Sequence, residues 1–525
     1  SQGKLCAKGW NTAFGVDPEQ RITQPLKRQG HNFVPVSWAE ALDDIAEQLR
    51  DILANDGSQT VGVISCARAT NEDNYALQKF ARAVLRTHNI DHCARICHSP
   101  SVAGLAQTLG SGAMTNSMAD VDHADLIVIW GADVTENHAI FGGRIIQAKL
   151  NGAKLIVVDP RSTRLAKLAD LHIPLHLGSN IALANGLLHI IFREGWQASS
   201  FLAERVEGLD RLQAHVTAWT PERVQRETGI TPELLYRFAQ MYAHSPAAML
   251  CYGMGITQFA CGTNNVIALS NVVLVCGQIG RAGTGINPLR GQNNVQGACD
   301  MGCLPNVYSG YQSVNDAEVR AKFAHAWQVP QSEQQGMTSL AMMHAARDGA
   351  MRAMIIAGED PALTDPDQTE VVNALKKLDL LVVLEMHLTA TAQLADYVLP
   401  VASFAEKDGT FSNCERRVQR IRQAIEPPNS CLTDWQIASE LARRLGCDGL
   451  SWQKSEQVFS EMAALTPIFS GMTYDLLAQN QGLQWPCNDQ APLGTPILHQ
   501  QTFPLQDNGK ARVIALESAE PAEMP

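Results

Sequence analysis

Short apolar runs that end near a glycine or an acidic residue recur along this chain of 525 residues. They have the composition of buried strands, and helix-like segments separate most of them. The runs are TVGVISC (60–66), DLIVIWGAD (125–133), KLIVVDPR (154–161), AMLCYGMGITQ (248–258), AMIIAGEDPALTD (353–365) and LLVVLEMHLTATAQLADYVLP (380–400). Buried strands that alternate with helices predict parallel sheets with helices on both faces. We therefore predict an α/β fold with two related parallel-sheet, Rossmann-like units.

Cap and spacing signals predict the helices between these strands. Ser37 and Glu40 form a Ser-x-x-Glu capping box at the start of SWAEALDDIAEQLRDIL (37–53), whose apolar residues recur at helical spacing. NYALQKFARAVL (74–85) has the same amphipathic spacing. Helices in these places are those that connect parallel strands.

The loops that follow the predicted strands combine glycine with charged groups. In open parallel sheets, ligands bind outside the carboxyl ends of the strands. The residues at these ends are Gly131, Asp133, Asp159, Arg161, Gly255, Gly358 and Asp360. Together they predict the walls of a site for a large, nucleotide-like ligand, although each alone also suits a turn. Without a GxGxxG motif or a P-loop, ordinary dinucleotide or ATP binding is disfavoured.

Charge and cysteine usage exclude several function classes. The formal net charge of −12 argues against nucleic acid or an anionic membrane surface as a partner. The longest apolar run, 265–280, is broken by Asn and Ser and is shorter than the ~18 to 20 residues of a membrane span. The 13 cysteines are scattered and include no CxxC pair, which favours a reducing compartment over a disulfide scaffold. We predict a cytoplasmic protein, with the periplasm as the alternative.

The segment ARICHSPSVAGL (94–105) places Cys97 directly beside His98. Three interpretations compete: a thiol in a core turn, a nucleophilic Cys/His pair, and a soft metal ligand with an acid/base neighbour. A nucleophile would need its base across a turn, whereas a metal ligand needs only to reach a cavity. The residue types alone leave the choice open.

The segment NPLRGQNNVQGACDMG (287–302) is rich in glycine and amide side chains. Arg290 offers a planar fork that binds a carboxylate bidentately, and Gly291 allows close backbone approach. The alternative is an irregular surface loop whose amides cap neighbouring helices. The density of amide groups favours a binding site.

These two segments, with LCAKG (5–9) and the region 120–184, closely resemble the molybdopterin-dependent formate dehydrogenases. Those enzymes belong to the molybdenum/tungsten bis-pterin (DMSO reductase) family. The resemblance covers essentially all 525 residues, and Cys-His-x-Pro-Ser-Val-Ala-Gly-Leu is specific to the formate-oxidising branch. Several members have selenocysteine where Cys97 stands. The resemblance implies an enzyme that oxidises formate to CO2 and passes two electrons from the metal to an iron–sulfur cluster.

The resemblance also implies roles for four residues. Cys97 would ligate molybdenum or tungsten, and His98 would receive or relay the proton released from formate. Arg290 would bind the formate carboxylate, and Gln292 would line the same pocket.

The N-terminal motif implies an electron path. Cys6 would be the fourth thiolate of a [4Fe–4S] cluster, and Lys8 would lie between this cluster and a pterin. The other three cysteines of the family's cluster motif are absent from this sequence, so the cluster is incomplete here. Electron-transfer subunits with iron–sulfur or flavin groups are the implied partners.

Two molybdopterin guanine dinucleotides are the implied cofactor, and they would occupy the loops after the strands. The implied contacts are Arg68, Gly131, Asp133, Asp159, Arg161, Gly178, Asn180, Gly255, Gln258, Gly291, Gly358, Glu359, Asp360, Thr391 and Asp396. Asn180 departs from the family, which often has Asp at this position.

The resemblance implies a division into domains. These are 1–17, the end of a [4Fe–4S] domain completed by parts of 405–500; 18–92 plus 293–404, one pterin-binding α/β domain; 93–292, a second one with Cys97; 405–516, cluster-domain and connecting segments; and 517–525, a tail. The family's C-terminal barrel domain is missing. We therefore expect a fragment of a longer chain.

Two alternative functions remain. The first is reduction of an oxyanion such as nitrate with the same cofactor, although nitrate-reducing relatives do not usually have His-x-Pro after the cysteine ligand. The second is an inactive fragment or scaffold without metal.

Overall fold

The computed structural model of the protein describes residues 3–503, 506 and 508–518; the predicted tail therefore lies outside the described residues from residue 519 onward. The strands are β1 (Leu26–Gln29), β2 (Asn32–Pro35), β3 (Val61–Ser65), β4 (Ile90–His92), β5 (Leu126–Trp130), β6 (Lys154–Val158), β7 (Leu171–Ile173), β8 (Val206–Glu207), β9 (Ala248–Tyr252), β10 (Gly285–Pro288), β11 (Val307–Tyr308), β12 (Gln312–Ser313), β13 (Ala353–Ala357), β14 (Leu380–Glu385), β15 (Tyr397–Pro400), β16 (Gly409–Ser412), β17 (Arg417–Ile421), β18 (Leu483–Gln484) and β19 (Ala511–Arg512).

The α-helices are α1 (Ala7–Trp10), α2 (Trp38–Asn55), α3 (Asn71–Lys79), α4 (Ser99–Leu109), α5 (Val134–Asn137), α6 (Ala139–Leu150), α7 (Asn180–Arg193), α8 (Ser199–Arg205), α9 (Leu209–Val216), α10 (Pro221–Thr228), α11 (Pro232–Ala243), α12 (Met254–Thr257), α13 (Gly262–Val275), α14 (Val295–Asp300), α15 (Ala317–Trp327), α16 (Ser339–Arg347), α17 (Pro361–Thr364), α18 (Gln368–Leu375), α19 (Asp434–Arg444), α20 (Ser455–Leu465) and α21 (Tyr474–Gln479). Within the described ranges, no helix is long and apolar enough to cross a membrane.

The chain divides into two compact units. Unit 1 comprises Ser1–Ala7, Ile96–Gly291 and Pro496–Pro525, and unit 2 comprises Lys8–Arg95 and Gln292–Thr495. The domain limits implied by the resemblance, with their separate cluster segments, remain a prediction.

Unit 1 is built on a five-stranded parallel sheet in the order β10-β9-β5-β6-β7. The strands β5 and β9 are buried along their whole length, as their continuous apolar runs predict. The apolar core joins strand residues such as Val128 and Leu250 to helix residues such as Leu188 and Val272. The predicted parallel α/β architecture is confirmed for this unit.

Unit 2 contains a seven-stranded sheet in the order β2-β1-β15-β14-β13-β3-β4. The strands from β15 to β4 are parallel, and β1 and β2 continue the sheet at one edge as an antiparallel pair. Ile64, Ile356 and Val383 contribute to its apolar core. A separate antiparallel sheet in unit 2 contains β16, β17 and β18. The prediction of a second parallel-sheet unit is also confirmed.

Two helix starts show how the local sequence sets the element bounds. The Ser37 hydroxyl accepts the Glu40 amide at 3.1 Å, which confirms the predicted N-cap of α2. Helix α3 begins at Asn71, earlier than the apolar spacing predicts, because Thr70 and Asp73 form a capping box. The chain then passes from α3 into a π-helical turn over Phe80–Val84. Capping residues, rather than the apolar spacing, therefore determine where α3 begins.

Glu72 is a fully buried carboxyl group of unit 2. It accepts hydrogen bonds from the Tyr474 hydroxyl at 2.7 Å and from the Thr410 amide at 2.8 Å, and so joins α3 to α21 and β16. Burial raises the pKa of this carboxyl from 4.5 to about 7. The folded protein therefore binds this proton more tightly than the unfolded chain does.

We expect Glu72→Gln to reduce the pH dependence of stability. The raised pKa stabilises the fold fully below about pH 4, and the contribution is lost as the pH rises through about 7. At ~1.4 kcal/mol per pKa unit, up to about 3 kcal/mol is lost over this interval. Thermal unfolding between about pH 5 and pH 8 should show this decline in the wild type and a flatter profile in the variant. The exposed residue Glu318 provides a matched control, Glu318→Gln, and equal slopes in all three proteins would contradict the prediction.

Candidate active site

The strand order of unit 1 reverses between β5 and β9. The chain crosses from β5 to β6 and β7 on one side, and then returns to β9 and β10 on the other side of β5. The loops after β5 and β9 meet at this point, where the Gly255 amide donates to the Gly131 carbonyl at 3.0 Å. Ligands of open α/β sheets bind in the crevice at such a reversal. This edge of the sheet is therefore the candidate ligand site of unit 1.

The contact between these two loops leaves no room for side chains. Gly131 has a φ of +60°, and a Cβ there would lie 2.8 Å from the Gly255 carbonyl carbon. A Cβ on Gly255 would lie 2.7 Å from the Gly131 carbonyl oxygen. Glycine is therefore required at both positions if the loops are to approach each other in this way.

Cys97 lies beside the same loops. It directly precedes α4, whose first turn contains Pro100. Its side chain is buried, and Sγ is 3.5 Å from the sulfur of Met254, the first residue of α12 after β9. The structure thus places a soft sulfur donor at the carboxyl edge of the sheet.

The His98 ring is completely buried, and both ring nitrogens have hydrogen-bond partners. Nε2 is 3.1 Å from the Leu289 carbonyl oxygen, and Nδ1 is 2.9 Å from the Ser101 hydroxyl. A carbonyl oxygen only accepts, so Nε2 carries the hydrogen and Nδ1 accepts from Ser101. Burial lowers the pKa of His98 to about 3, and the Arg290 charge acts in the same direction. The ring is therefore neutral near pH 7 and has its one lone pair on Nδ1.

Arg290 is a buried cation in unit 1, with 2% of its surface exposed. Nη2 donates to the Gly112 carbonyl at 2.8 Å, and the Arg290 carbonyl accepts from His138 Nε2 at 3.0 Å. A buried guanidinium is stabilised by an adjacent anion, and its fork matches the two oxygens of a carboxylate. The site therefore suits a small carboxylate.

The remaining unit 1 residues implied for the cofactor also follow β5, β6, β7, β9 or β10: Asp133, Asp159, Arg161, Gly178, Asn180, Gln258 and Gly291. The Asp159 carboxylate accepts from the Arg161 amide at 2.9 Å. The Trp130 indole donates to Asn180 Oδ1 at 2.8 Å, so the amide keeps the acceptor that Asp would provide and adds a donor. The site residues of unit 1 thus share one edge of its sheet.

Unit 2 has the same arrangement at β3 and β13. The chain runs from β3 to β4 on one side and returns to β13, β14 and β15 on the other. The Cys66 thiol donates to the Gly358 carbonyl at 3.1 Å, so the loops after these two strands also touch. The Thr391 amide and hydroxyl both donate to Asp360 Oδ1 at 2.7 Å. Arg68 and Glu359 lie in the same two loops, and Arg68 is exposed.

Asp396 is the exception among the implied cofactor residues. It directly precedes β15, at the amino end of this strand, and its carboxylate accepts the amide of Leu381 at 2.8 Å near the start of β14. This is the opposite edge of the sheet from the other loops. Asp396 here satisfies a backbone amide, and its implied contact with the cofactor stays a prediction.

Three other implied residues are Gln292, Lys8 and Cys6. In unit 2, Gln292 Nε2 donates to Cys93 Sγ at 3.4 Å. Lys8, also in unit 2, is exposed on α1, and Cys6 in unit 1 is half-buried. Their implied roles in substrate binding and electron transfer stay predictions.

The unit 1 site fits a metal that arrives with sulfur ligands of its own. Among the described residues, no group of three or more His, Cys, Asp or Glu side chains is arranged to hold a metal ion. One thiolate, Cys97, therefore suits a metal whose other donors are the dithiolene sulfurs of a pterin. The Thr257 hydroxyl, at the end of the short helix α12 that follows β9, is buried and has no partner within the described chain, so a ligand could satisfy it.

Sequence reasoning missed four residues of this region: Met254, Ser101, Tyr252 and His138. Ser101 lies inside the quoted Cys-His segment, and Tyr252 and Met254 lie at the end of the apolar run 248–258. Their positions at a strand end and in the motif were signals that could have identified them. His138 carries no local signal, because only the fold brings it to Arg290.

Gly131→Ala is expected to destabilise the protein and lower its cofactor content. The strained backbone and the contact with Gly255 should together cost about 2 to 5 kcal/mol. Gly143 is the matched control, because it lies inside α6 with open space around its Cβ position. Gly143→Ala should stabilise the helix by about 0.5 to 1 kcal/mol. Thermal unfolding and pterin content measure both effects, and similar values for the two variants would count against the close loop contact.

Comparisons with known proteins show the family to which the chain belongs and the sequences to which it is similar. Residues 21–444 match the family model "Molybdopterin oxidoreductase". The chain is 44% identical over 526 residues to F420-dependent formate dehydrogenase 2 subunit alpha of Methanococcus maripaludis, covering 100% of this chain and 76% of that protein. It is 40% identical over 533 residues to formate dehydrogenase H of Escherichia coli (strain K12), covering 100% of this chain and 74% of that protein.

A solved structure has a similar fold. Acetylene hydratase from Pelobacter acetylenicus superposes with a TM-score of 0.78, over 97% of this chain and 71% of that chain. The two sequences are 22% identical, so this likeness concerns the fold alone.

Proposed function

Because the chain belongs to the molybdopterin oxidoreductase family, we propose that it carries the active site of a formate dehydrogenase. The observation that carries the proposal is the joint placement, in unit 1, of Cys97 beside the strand-end loops and of Arg290 linked through Leu289 to His98. The formate dehydrogenase names of relatives 40 to 45% identical to the chain support the same substrate.

Membership of the family implies a molybdopterin cofactor with molybdenum. In our proposal the cofactor takes the form of two guanine dinucleotides, with tungsten as the alternative metal. The loops after β5 and β9 in unit 1, and those after β3 and β13 in unit 2, are the proposed binding elements. Cys97 is the proposed thiolate ligand. Cys6 is proposed as one of the four thiolates of a [4Fe–4S] cluster.

The reaction is the conversion of HCOO⁻ to CO2, one proton and two electrons as the C–H bond breaks. The bound cofactor supplies an acceptor for the two electrons. Arg290 binds the formate carboxylate through paired charge-assisted hydrogen bonds. His98 takes up the proton at Nδ1, its one lone pair, after the Ser101 hydroxyl turns its hydrogen away.

The partners we propose are electron-transfer subunits with iron–sulfur or flavin groups. The relatives' names describe those proteins as alpha subunits, which supports an assembly with further chains. Lys8 is the residue of this chain proposed to lie on the electron path. Gln292 is proposed to contribute to substrate binding.

The proposal is tested by formate-dependent reduction of methyl viologen with molybdenum-loaded protein prepared without oxygen. We expect reduction of the dye with formate, and no oxidation of reduced viologen when nitrate is added. If the metal-loaded protein does not oxidise formate but catalyses the oxidation of reduced viologen by nitrate, the protein is an oxyanion reductase. Protein that holds neither pterin nor metal after expression with the cofactor pathway would identify a scaffold.

A further inference from the structure

Tyr252, Ser101 and His98 form a buried chain of hydrogen bonds in unit 1. The Tyr252 hydroxyl and Ser101 Oγ are 2.9 Å apart, and Ser101 Oγ is 2.9 Å from His98 Nδ1. His98 Nε2 donates to the Leu289 carbonyl at 3.1 Å. The Leu289 carbonyl, where this series of hydrogen bonds ends, can only accept. Every bond therefore has a fixed direction: Tyr252 donates to Ser101, Ser101 to His98, and His98 to Leu289.

A backbone hydrogen bond closes this series of hydrogen bonds into a ring. The Leu289 amide donates to the Tyr252 carbonyl at 2.8 Å, while the Leu289 carbonyl receives the bond from His98. The next carbonyl, that of Arg290, receives a bond from His138. Both carbonyls that flank the Arg290 amide and side chain are therefore held by histidines.

We propose that Tyr252 and Ser101 are positioning residues for the substrate, which fix the His98 ring and thereby hold the backbone of Arg290 in place to bind a carboxylate. The kinetic part of this inference rests on the proposed formate dehydrogenase function. The part that concerns the orientation of the His98 imidazole does not depend on that function.

The surroundings of these groups support a positioning role. Tyr252, Ser101 and His98 each have 0% exposed surface, so water does not compete for their bonds. Burial raises the pKa of the Tyr252 phenol above its usual value, so the hydroxyl keeps its hydrogen and remains a donor. Three of the four hydrogen bonds join elements that are far apart in sequence, namely β9, α4 and the segment after β10, whereas the Ser101–His98 bond lies within the start of α4.

The chain contains a matched control for the loss of one tyrosine hydroxyl. Tyr242 belongs to the same unit and is equally buried, but its hydroxyl has no partner within the described residues. Tyr242→Phe and Tyr252→Phe therefore remove the same hydroxyl group from similarly buried side chains. Only Tyr252→Phe breaks the ring of hydrogen bonds.

The first measurement is the formate KM and kcat of the molybdenum-loaded protein. Tyr252→Phe and Ser101→Ala should each raise KM by about 2- to 12-fold, the equivalent of one neutral hydrogen bond, and Tyr252→Phe should change kcat by less than about twofold. The double variant should be no worse than the poorer single variant, because both changes break one ring. Tyr242→Phe should leave KM unchanged. Unchanged KM in Tyr252→Phe, or a fall in kcat without a rise in KM, would overturn the proposal.

The second measurement is ¹⁵N NMR of the oxidised protein labelled in its 15 histidines, with the His98 signals identified from a His98→Gln sample. We expect the Nε2–H tautomer in the wild type and a shifted Nδ1 resonance in Tyr252→Phe and Ser101→Ala, but not in Tyr242→Phe. An Nδ1–H tautomer in the wild type, or an unmoved Nδ1 resonance in both variants, would overturn the proposal. If the wild type does not turn over formate, the proposed function fails, and this measurement alone decides the role of Tyr252 and Ser101 in fixing the ring.

Discussion

Replacing Arg290 by glutamine is expected to raise the KM for formate by about 10- to 150-fold. This range corresponds to the ~1.5 to 3 kcal/mol of a hydrogen bond to a charged group. Arg290 is buried, and its guanidinium is the group that we propose to pair with the substrate carboxylate. Because the interaction forms with bound formate and persists during the reaction, we expect a larger effect on KM than on kcat.

Lysine at position 290 separates charge from geometry. Arg290→Lys keeps the cation but loses the planar fork, so it should recover only part of the affinity for formate. Arg193→Gln is the matched control, because Arg193 is a partly exposed residue of unit 1 whose ion pair is formed with the adjacent Glu194. Formate kinetics with thermal unfolding of each variant distinguish a lost substrate contact from a lost fold. A normal KM in stable Arg290→Gln would show that another cation binds the substrate.

Much of the fold could be predicted from the sequence because its strands are buried on both faces. The segments 126–130 and 353–357 are apolar throughout and are followed by glycine and acidic residues, which indicates both the strand and its carboxyl end. The contact between Gly131 and Gly255 follows once β5 and β9 are neighbours, but the sequence does not specify that neighbour relation. Strand order depends on packing of the whole unit, and local pattern carries little of this information.

The same limit applies to the site. Cys97, His98 and Arg290 could be selected because they lie in unusual segments with chemically capable side chains. His138 could not, since its role depends on a hydrogen bond to a residue more than a hundred positions away. Tyr252 lies at a predicted strand end, but its hydrogen bond to Ser101, which is equally distant in sequence, could not be predicted. For Asp396 the resemblance implies a cofactor contact, which stays a prediction; the structure places the residue at the amino end of β15, where its carboxylate accepts the Leu381 amide.

The reversals of strand order in the two units give the fold a functional logic. In each unit the first central strand, β5 or β3, is flanked on one side by the next strand of the chain and on the other by a strand that returns much later. The loops after the two neighbouring strands touch, through Gly131 and Gly255 in unit 1 and through Cys66 and Gly358 in unit 2. Each unit thus has a reversal of strand order of the kind at which α/β sheets bind ligands. This repetition supports the proposal that each unit holds one pterin dinucleotide.

Cys97→Ser is expected to lower formate oxidation by more than about 100-fold, beyond the ~10- to 100-fold losses typical of outer-shell changes at metal sites. Serine has a similar size, but its hydroxyl is a hard and weakly acidic donor that does not replace a soft thiolate on molybdenum. X-ray absorption at the molybdenum edge should show one sulfur fewer around the metal. The strand-end loops are unchanged, so pterin content should fall much less than activity.

Cys261→Ser is the matched control for this experiment. Cys261 is a half-buried thiol of unit 1, located directly before α13, and it has no role in the proposed chemistry. Its replacement should leave activity and sulfur coordination unchanged. If Cys97→Ser retained activity while Cys261→Ser lost it, the assignment of the metal ligand would be wrong. Full activity in both variants would show that neither Cys97 nor Cys261 ligates the metal, and the Cys-His segment would then be a structural turn.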